Sequence, residues 1–329
     1  MISLKQDIGF LDLDSQRSFS NFIKAIKTKE ITVVCGAGLS VSAGLPTWTK
    51  YLKNIVSEFL LTWKDLEDYN PKYKEVAPKS MSINMMGEYY EVKFPGFTIP
   101  DNFVNEDPLI LAQLIKNCIE PANWRYLLRN ALYGEEQLNF SSELINNIFQ
   151  IVRNNAKTTS ILTYNYDDLI EIFFKAQSFK TSSIVGENHF KTQKYFPIYH
   201  LHGILPYKGG LESKVYLSED DFLTDIIQPN SWYNQLHTAK LTSTCCLFVG
   251  LSFNDPSLKR KLAIHRLSPD SYHYAFLSHQ DTEYEKRKFL LLKNELLRLN
   301  VRVIKYPYDP THKELNRVLS LLNKYINIE

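Results

Sequence analysis

The stretch ITVVCGAGLSVSAGLPTW, residues 31–48, decides the fold of this chain. Its β-branched start predicts a buried strand, the glycines at 36 and 38 predict a turn, and apolar residues at helical spacing follow from residue 48 onward. Glycine lets a backbone approach an anion closely, and the start of a helix offers free N–H groups. Because the G-x-G-x-x-G pattern is absent, the stretch alone predicts either a phosphate cradle or a packing turn.

Composition excludes several classes of protein. The chain has 329 residues, 44% of them hydrophobic, and a formal net charge of +2, which predicts a large buried core and no disorder. Since no basic run or basic-aromatic stripe occurs, composition gives no support to nucleic-acid or membrane binding. The amino terminus lacks an apolar signal core and no stretch is long enough to span a bilayer, so we expect a cytoplasmic protein.

Cysteine and histidine spacing predicts no metal site. The cysteines form no C-x-x-C pair, which argues against both a zinc ribbon and a disulfide framework. His200 and His202, two residues apart, could be metal ligands, but no carboxylate or thiol accompanies them at ligand spacing. We therefore expect reduced core cysteines and no bound metal. The four cysteines are Cys35, Cys118, Cys245 and Cys246.

Strands and helices alternate along most of the chain. This order predicts an α/β fold with a doubly wound, mainly parallel sheet, whose ligand lies at the carboxyl ends of the strands. We divide the chain into a main domain, 1–62 and 156–329, and a mainly helical insertion or lid, 63–155, in which prolines and aromatic residues crowd 63–108. The predicted strands are 31–35, 158–163, 196–201, 244–250, 272–277 and 301–306.

Three of the predicted strands end in polar residues. They are followed by Thr-Tyr-Asn-Tyr-Asp-Asp at 163–168, His-Leu-His-Gly at 200–203, and Gly-Leu-Ser-Phe-Asn-Asp-Pro at 250–256. Helix capping explains part of this, and Asp255 before a proline is predicted to be a cap. A single cap does not require a threonine, an asparagine and an aspartate together, so 163–168 also indicates a functional site.

Taken in order, the motifs G-A-G-L-S-V-S-A-G-L-P, T-Y-N-Y-D-D-L, L-H-G and G-L-S resemble those of the sirtuin superfamily. The resemblance covers roughly 31–306 and is closest to the prokaryotic sirtuin-like domains of anti-phage defence. It implies a Rossmann-like sheet that binds NAD, which serves as the substrate.

The resemblance also implies roles for individual residues. Asn165 and Asp167 would organise the nicotinamide ribose and a reacting water, and His202 would be the general base. Ser40 and the residues before it would hold the diphosphate, and Gly250 and Ser252 would line the adenosine side. The NAD-binding set is Gly36, Ala37, Gly38, Ser40, Pro46, Thr163, Gly250 and Ser252.

Departures from the deacylase branch separate the possible activities. Deacylases carry two zinc-binding C-x-x-C pairs after the histidine, whereas 204–243 contains no cysteine, and Thr47, Trp48 and Tyr164 replace their Phe-Arg and Gln. We therefore expect an NAD glycohydrolase that releases nicotinamide and ADP-ribose. The alternatives are a protein deacylase or ADP-ribosyltransferase, which needs a protein substrate, and a non-catalytic NAD or ADP-ribose sensor.

Unregulated NAD hydrolysis would kill the host cell, so the resemblance also implies control. We expect a homo-oligomer that depletes NAD when activated, as in abortive infection. In similar systems the partner is a HerA-type hexameric ATPase or a short Argonaute.

Overall fold

The computed structural model divides into two compact units. The first comprises 1–44, 138–202 and 229–329, and the second 45–137 and 203–228. The structure describes residues 2–69, 80–85, 88–93, 108–119, 121–134, 138–187, 194–209, 213–221, 223, 228, 230–265 and 271–327.

The first unit is built on a seven-stranded sheet in the order β5-β6-β4-β1-β7-β8-β9, in which every pairing is parallel. This confirms the predicted α/β, Rossmann-like fold. The apolar run of β1 is buried at all five positions, as expected for a strand covered on both faces. The strands are β1 (Ile31–Cys35), β4 (Thr158–Thr163), β5 (Thr181–Ile184), β6 (Phe196–His200), β7 (Cys245–Val249), β8 (His273–Leu277) and β9 (Val301–Lys305).

Helices cover the sheet and begin at side-chain caps where the sequence supplies them. Asp12 accepts a hydrogen bond from the Ser15 N–H at 2.8 Å, and Asp255, as predicted, accepts one from the Ser257 N–H at 2.7 Å. The helices are α1 (Ile2–Asp7), α2 (Leu13–Thr28), α3 (Ala37–Val41), α7 (Glu143–Asn154), α8 (Leu169–Ala176), α10 (Trp232–Ser243), α11 (Pro256–Ile264), α12 (Glu283–Arg298) and α13 (Lys313–Ile326).

The point at which the strand order of the sheet reverses lies at β1. On one side of β1 lie β4, β6 and β5, and on the other side lie β7, β8 and β9, which come later in the chain. The register sets Cys35 opposite both Thr163 and Val249, and Thr163 opposite His200. Four strands therefore end at one edge, around the switch point where parallel sheets of this kind bind their ligands.

The second unit is mainly helical and also contains an antiparallel hairpin. The Tyr51 hydroxyl donates to the Leu128 carbonyl at 3.2 Å, and the Asn54 amide donates to the Ala131 carbonyl at 2.9 Å, which ties the first helix to the third. Its elements are α4 (Trp48–Tyr69), β2 (Ser80–Met85), β3 (Glu88–Lys93), α5 (Pro108–Asn117), α6 (Pro121–Tyr133) and α9 (Glu219–Asp221).

Most predicted elements are present, and two features were missed. Each of the six predicted strands lies within its predicted span, but β5 and the hairpin β2–β3 were not expected. The predicted insertion 63–155 remains a prediction, as does its role as a lid, because 70–79, 86–87 and 94–107 lie outside the described residues. Along the part of the chain that is described, no helix combines the length and the apolar character needed to cross a membrane.

Candidate functional site at the carboxyl edge of the sheet

The predicted cradle is a close backbone contact between two loops. The Gly36 N–H donates to the Val249 carbonyl, and the Gly38 N–H donates to the Gly250 carbonyl, both at 3.0 Å. A Cβ on Gly36 would lie 2.6 Å from the Gly250 oxygen, and Gly250 itself has φ of +71°. The glycines are therefore required to join the ends of β1 and β7. Because both amides donate within the protein, a bound anion needs other donors.

Asn165 is held at the end of β4 by three hydrogen bonds. Its backbone N–H donates to Thr163 Oγ1 at 3.0 Å, while its side-chain Nδ2 donates to the Gly36 carbonyl at 3.0 Å and to Ser40 Oγ at 2.8 Å. Both hydrogens of the amide are thus engaged. This fixes the amide's orientation and directs Oδ1 away from the loop.

Asp167 completes this network from the start of α8. Its Oδ2 accepts the Ser40 hydroxyl at 2.7 Å, and its Oδ1 accepts the Leu169 N–H at 3.1 Å. Burial raises the pKa of the Asp167 carboxyl from 3.8 to about 6, against the lowering effect of these two hydrogen bonds. We call Ser40, Asn165 and Asp167 the polar network.

His202 lies among aromatic rings instead. The Tyr164 ring meets it edge-on at a centroid distance of 5.2 Å, and the Tyr233 ring stacks at 6.2 Å, with Tyr166 at 6.1 Å. Burial lowers the pKa of His202 from 6.5 to about 4. The imidazole is therefore neutral at physiological pH and is able to accept a proton.

Two further residues beside His202, namely Tyr233 and His237, were not predicted from the sequence. His237 Nδ1 lies 2.8 Å from the Tyr233 carbonyl, which can only accept, so Nδ1 carries the proton. Burial holds the His237 pKa at about 3, so the ring is neutral and its Nε2 must accept the Tyr164 hydroxyl, 2.8 Å away. Tyr233 and His237 are four residues apart on α10, a spacing that places them on one helix face and was the available signal. Tyr164, Tyr233, His237 and His202 form the aromatic cluster.

His200 pairs with a carboxylate on α8. Its Nε2 lies 2.6 Å from Glu171 Oε1, which also accepts the Ser183 hydroxyl at 2.8 Å. Burial acts to lower the His200 pKa, but Glu171 outweighs it and raises that pKa above its ordinary value. Among the described residues, no group of three histidine, cysteine or acidic side chains is arranged to hold a metal.

The remaining predicted residues lie around the same edge or in the second unit. Ala37 begins α3, and Gly38, Gly250 and Ser252 line a cavity of about 290 Å³ that extends past the ends of β7 and β8. Pro46 belongs to the second unit. Other cavity walls come from Phe276, His279, Lys288, Tyr306 and His312.

A protein-family model matches part of the chain. Residues 159–302 match the family model described as the SIR2-like domain. The match covers somewhat less than half of the 329 residues. The matched stretch runs from β4 into β9, so it includes Asn165, Asp167 and His202 together with the turn at Gly250. Strand β1 and Ser40 precede the matched stretch in the chain. They contact it through the pairing of β1 with β4 and through the hydrogen bond between Ser40 and Asn165.

The chain also resembles a curated protein. NAD(+) hydrolase ThsA of Bacillus cereus (strain MSX-D12) is 23% identical over 299 residues, which cover 86% of this chain and 52% of that protein. The chain spans about half the length of that relative. Both findings agree with the sirtuin-like resemblance of the four sequence motifs.

Proposed function

We propose that this chain is an NAD glycohydrolase that cleaves NAD into nicotinamide and ADP-ribose. The SIR2-like domain and the relative named NAD(+) hydrolase support this activity. The observation that carries the proposal is the polar network, in which one hydroxyl joins the loop after β1 to both predicted polar residues after β4. It lies at the switch point of the sheet, where such folds bind nucleotides.

The reaction needs positioning more than acid catalysis. The bond between ribose C1′ and the pyridinium nitrogen breaks, its electron pair stays on nitrogen, and nicotinamide leaves as a neutral molecule. Water then attacks the oxocarbenium-like carbon and loses a proton. Because the leaving group is already cationic, no acid has to protonate it, and the site contributes chiefly by orientation and by stabilising the positive ribose.

Asn165 is the residue we assign to the water. Its Nδ2 hydrogens are both engaged, with Gly36 and Ser40, so its Oδ1 is the group left to accept a hydrogen bond from the attacking water. A fixed amide of this kind orients the lone pair of the water without itself exchanging a proton.

His202 and Asp167 take the other two roles. His202 is neutral in its aromatic surroundings and accepts the proton released by the water or by a ribose hydroxyl. Asp167 accepts the Ser40 hydroxyl and keeps carboxylate lone pairs for a ribose hydroxyl at the same edge. Its negative charge also favours the developing cation.

The rest of NAD extends along the strand ends in this proposal. The diphosphate lies at Gly36, Ala37, Gly38 and Ser40 and is held by donors other than the Gly36 and Gly38 N–H groups, which are engaged within the protein. The adenosine occupies the cavity lined by Gly250 and Ser252. No metal takes part, so turnover should continue in the presence of a chelator.

The decisive experiment incubates the purified chain with NAD and quantifies the products. We expect equal amounts of nicotinamide and ADP-ribose, and loss of both in Asn165→Ala. If NAD disappears only when an acylated peptide is added, the chain is a deacylase. If ADP-ribose is found attached to protein, it is a transferase. Saturable NAD binding without cleavage would make it a sensor.

We also propose a defence role in which activation depletes cellular NAD. The support is the sirtuin-like resemblance together with the named NAD hydrolase relative. Control would come from a homo-oligomer or from a HerA-type ATPase or short Argonaute partner. Cells expressing the wild-type chain should lose NAD on phage infection and restrict plating, whereas cells expressing Asn165→Ala should do neither.

A further inference from the structure

Helix α12 exposes four large apolar side chains, of which Tyr284 and Leu291 lie on one stripe, whereas Leu290 and Leu297 lie about 100° or more around the helix from Leu291. Tyr284 is 72% exposed, Leu291 71%, Leu290 57% and Leu297 53%, although the opposite face of the same helix is buried through residues such as Leu296. A surface helix normally presents polar residues outward. Tyr284 and Leu291 are exposed apolar residues on the same stripe, which is typical of a surface that is covered by a partner.

The charges on this face are arranged symmetrically about Leu291. Arg287 lies four residues before it and Glu295 four after, while Tyr284 lies seven before and Arg298 seven after. These spacings keep all five side chains on one stripe of the helix. Glu295 is partly exposed and already accepts Lys259 at 2.8 Å, while neither arginine enters an ion pair with any residue that the structure describes.

We propose that this stripe binds the same stripe of a second copy of the chain, antiparallel, with a two-fold axis at Leu291. Leu291 then packs on the partner's Leu291, Arg287 meets the partner's Glu295, and Tyr284 lies under the partner's Arg298. Parallel pairing would instead place Arg287 against Arg287 and Glu295 against Glu295. Charge complementarity therefore selects both the occupant and its direction.

The expected interface is modest in size. A sixteen-residue helix is about 24 Å long, so one helix pair buries less than the roughly 800 Å² per partner of a standard interface. We therefore expect a dimer with a Kd in the roughly micromolar range. Helix α12 also supplies Lys288, Phe289 and Leu292 to the cavity beside the cradle, so pairing also holds one wall of that cavity.

Cysteine cross-linking tests the geometry. In a Cys118→Ser background, which removes the exposed native thiol, Leu291→Cys should form an intermolecular disulfide rapidly on mild oxidation. Leu13→Cys, equally exposed at 72%, controls for random collision. Tyr284→Cys should not cross-link to itself, because its two copies would lie about 21 Å apart, but should cross-link to Arg298→Cys in a mixture.

Sedimentation velocity at about 5 to 100 µM tests the energetics. Wild-type protein should dimerise in this range, Leu291→Glu should stay monomeric, and Arg287→Glu should weaken the dimer at least about tenfold. The double variant Arg287→Glu/Glu295→Arg should restore it. A wild-type monomer at 100 µM, an assembly that Leu291→Glu leaves intact, or equal cross-linking at Leu13→Cys and Leu291→Cys would overturn the proposal. NAD cleavage measured in parallel separates this outcome from that of the proposed function.

Discussion

The polar network and the aromatic cluster lie at the same edge of the sheet and are held in opposite ways. Asn165 and Asp167 are fixed by short, directional hydrogen bonds that converge on Ser40. His202 is held between rings whose centroids lie 5.2 to 6.2 Å away. One region fixes where atoms lie, and the other removes water from around a titratable ring.

Burial also shifts the pKa values of Asp167 and His202 past each other. It raises the pKa of Asp167 to about 6 and lowers that of His202 to about 4, because each is disfavoured in its charged form. The difference teaches that burial among aromatic rings is enough to keep the His202 imidazole neutral at physiological pH. The pair of His200 and Glu171 shows the contrary case, in which a carboxylate raises the pKa of a buried histidine.

The largest effect should come from the polar network. Asn165→Ala removes the group that orients the water, so kcat for NAD cleavage should fall at least about 10² to 10³-fold, or about 3 to 4 kcal/mol. Asn155→Ala is the matched control, since this buried asparagine bonds the Ile26 carbonyl and Thr158 at the other end of β4. It should lower the melting temperature comparably and leave kcat unchanged. A comparable loss of kcat in both variants would make the network merely structural.

The next largest effect should come from substitution of Gly250, in the loop that contacts the turn after β1. Gly250→Ala places a Cβ 2.7 Å from the Leu39 nitrogen at a φ of +71°, so unfolding free energy should fall by about 2 to 3 kcal/mol in urea titration. Gly209→Ala has a similar φ of +78° but meets nothing within 4 Å, and should cost only about 1 kcal/mol. Equal costs would show that backbone strain, and not the contact between the loops, limits substitution.

The pH dependence of stability should separate the two regions by sign. Between about pH 6 and 4, folded Asp167 takes up a proton that the unfolded chain does not, so falling pH stabilises the protein through this group. Between about pH 6.5 and 4, the unfolded chain protonates His202 first, so falling pH destabilises it through that group. Each contributes about 1.4 kcal/mol per pH unit, and the two offset each other.

Single variants should expose these opposed contributions. Relative to wild type, Asp167→Asn should lose stability more steeply as the pH falls from 6 to 4.5, and His202→Gln should lose it less steeply, as measured by urea unfolding at several pH values. Parallel pH profiles for all three proteins would mean that the two groups titrate normally. That outcome would also remove the basis for a neutral His202 acting as base.

The fold could be predicted from the sequence because its strands are strongly patterned. β1, β4 and β7 are apolar runs that stop at glycine or polar residues, and they define the switch point. The hairpin β2–β3 was missed because Ser80–Met85 and Glu88–Lys93 mix polar and apolar residues among many prolines. β5 was missed because Thr181–Ile184 is short and only its last residue is buried.

The candidate site could be predicted only where it is local in sequence. Thr163, Asn165 and Asp167 share one motif, so their common location follows from one strand end. His237 joins Tyr164 across 73 positions, and no sequence pattern specified that contact. The hydrogen bonds donated by the Gly36 and Gly38 N–H groups could not be predicted from the sequence either, because they depend on how closely the turn at Gly250 approaches these glycines.

The smallest effect should come from the hydrogen bond between Tyr164 and His237 in the aromatic cluster. Tyr164→Phe keeps the ring that packs on His202 but leaves His237 Nε2 buried without its donor, so unfolding free energy should fall by about 1 kcal/mol. Tyr164→Phe/His237→Phe removes both partners and should cost less than the sum of the single variants, a coupling that a double-mutant cycle measures. If the cluster contributes only packing, the kcat of Tyr164→Phe should stay within about threefold of the wild-type value. A threefold change in kcat corresponds to a change in activation free energy of under about 0.7 kcal/mol. A drop as large as that of Asn165→Ala would place the hydroxyl in the reaction and end the contrast between the two regions.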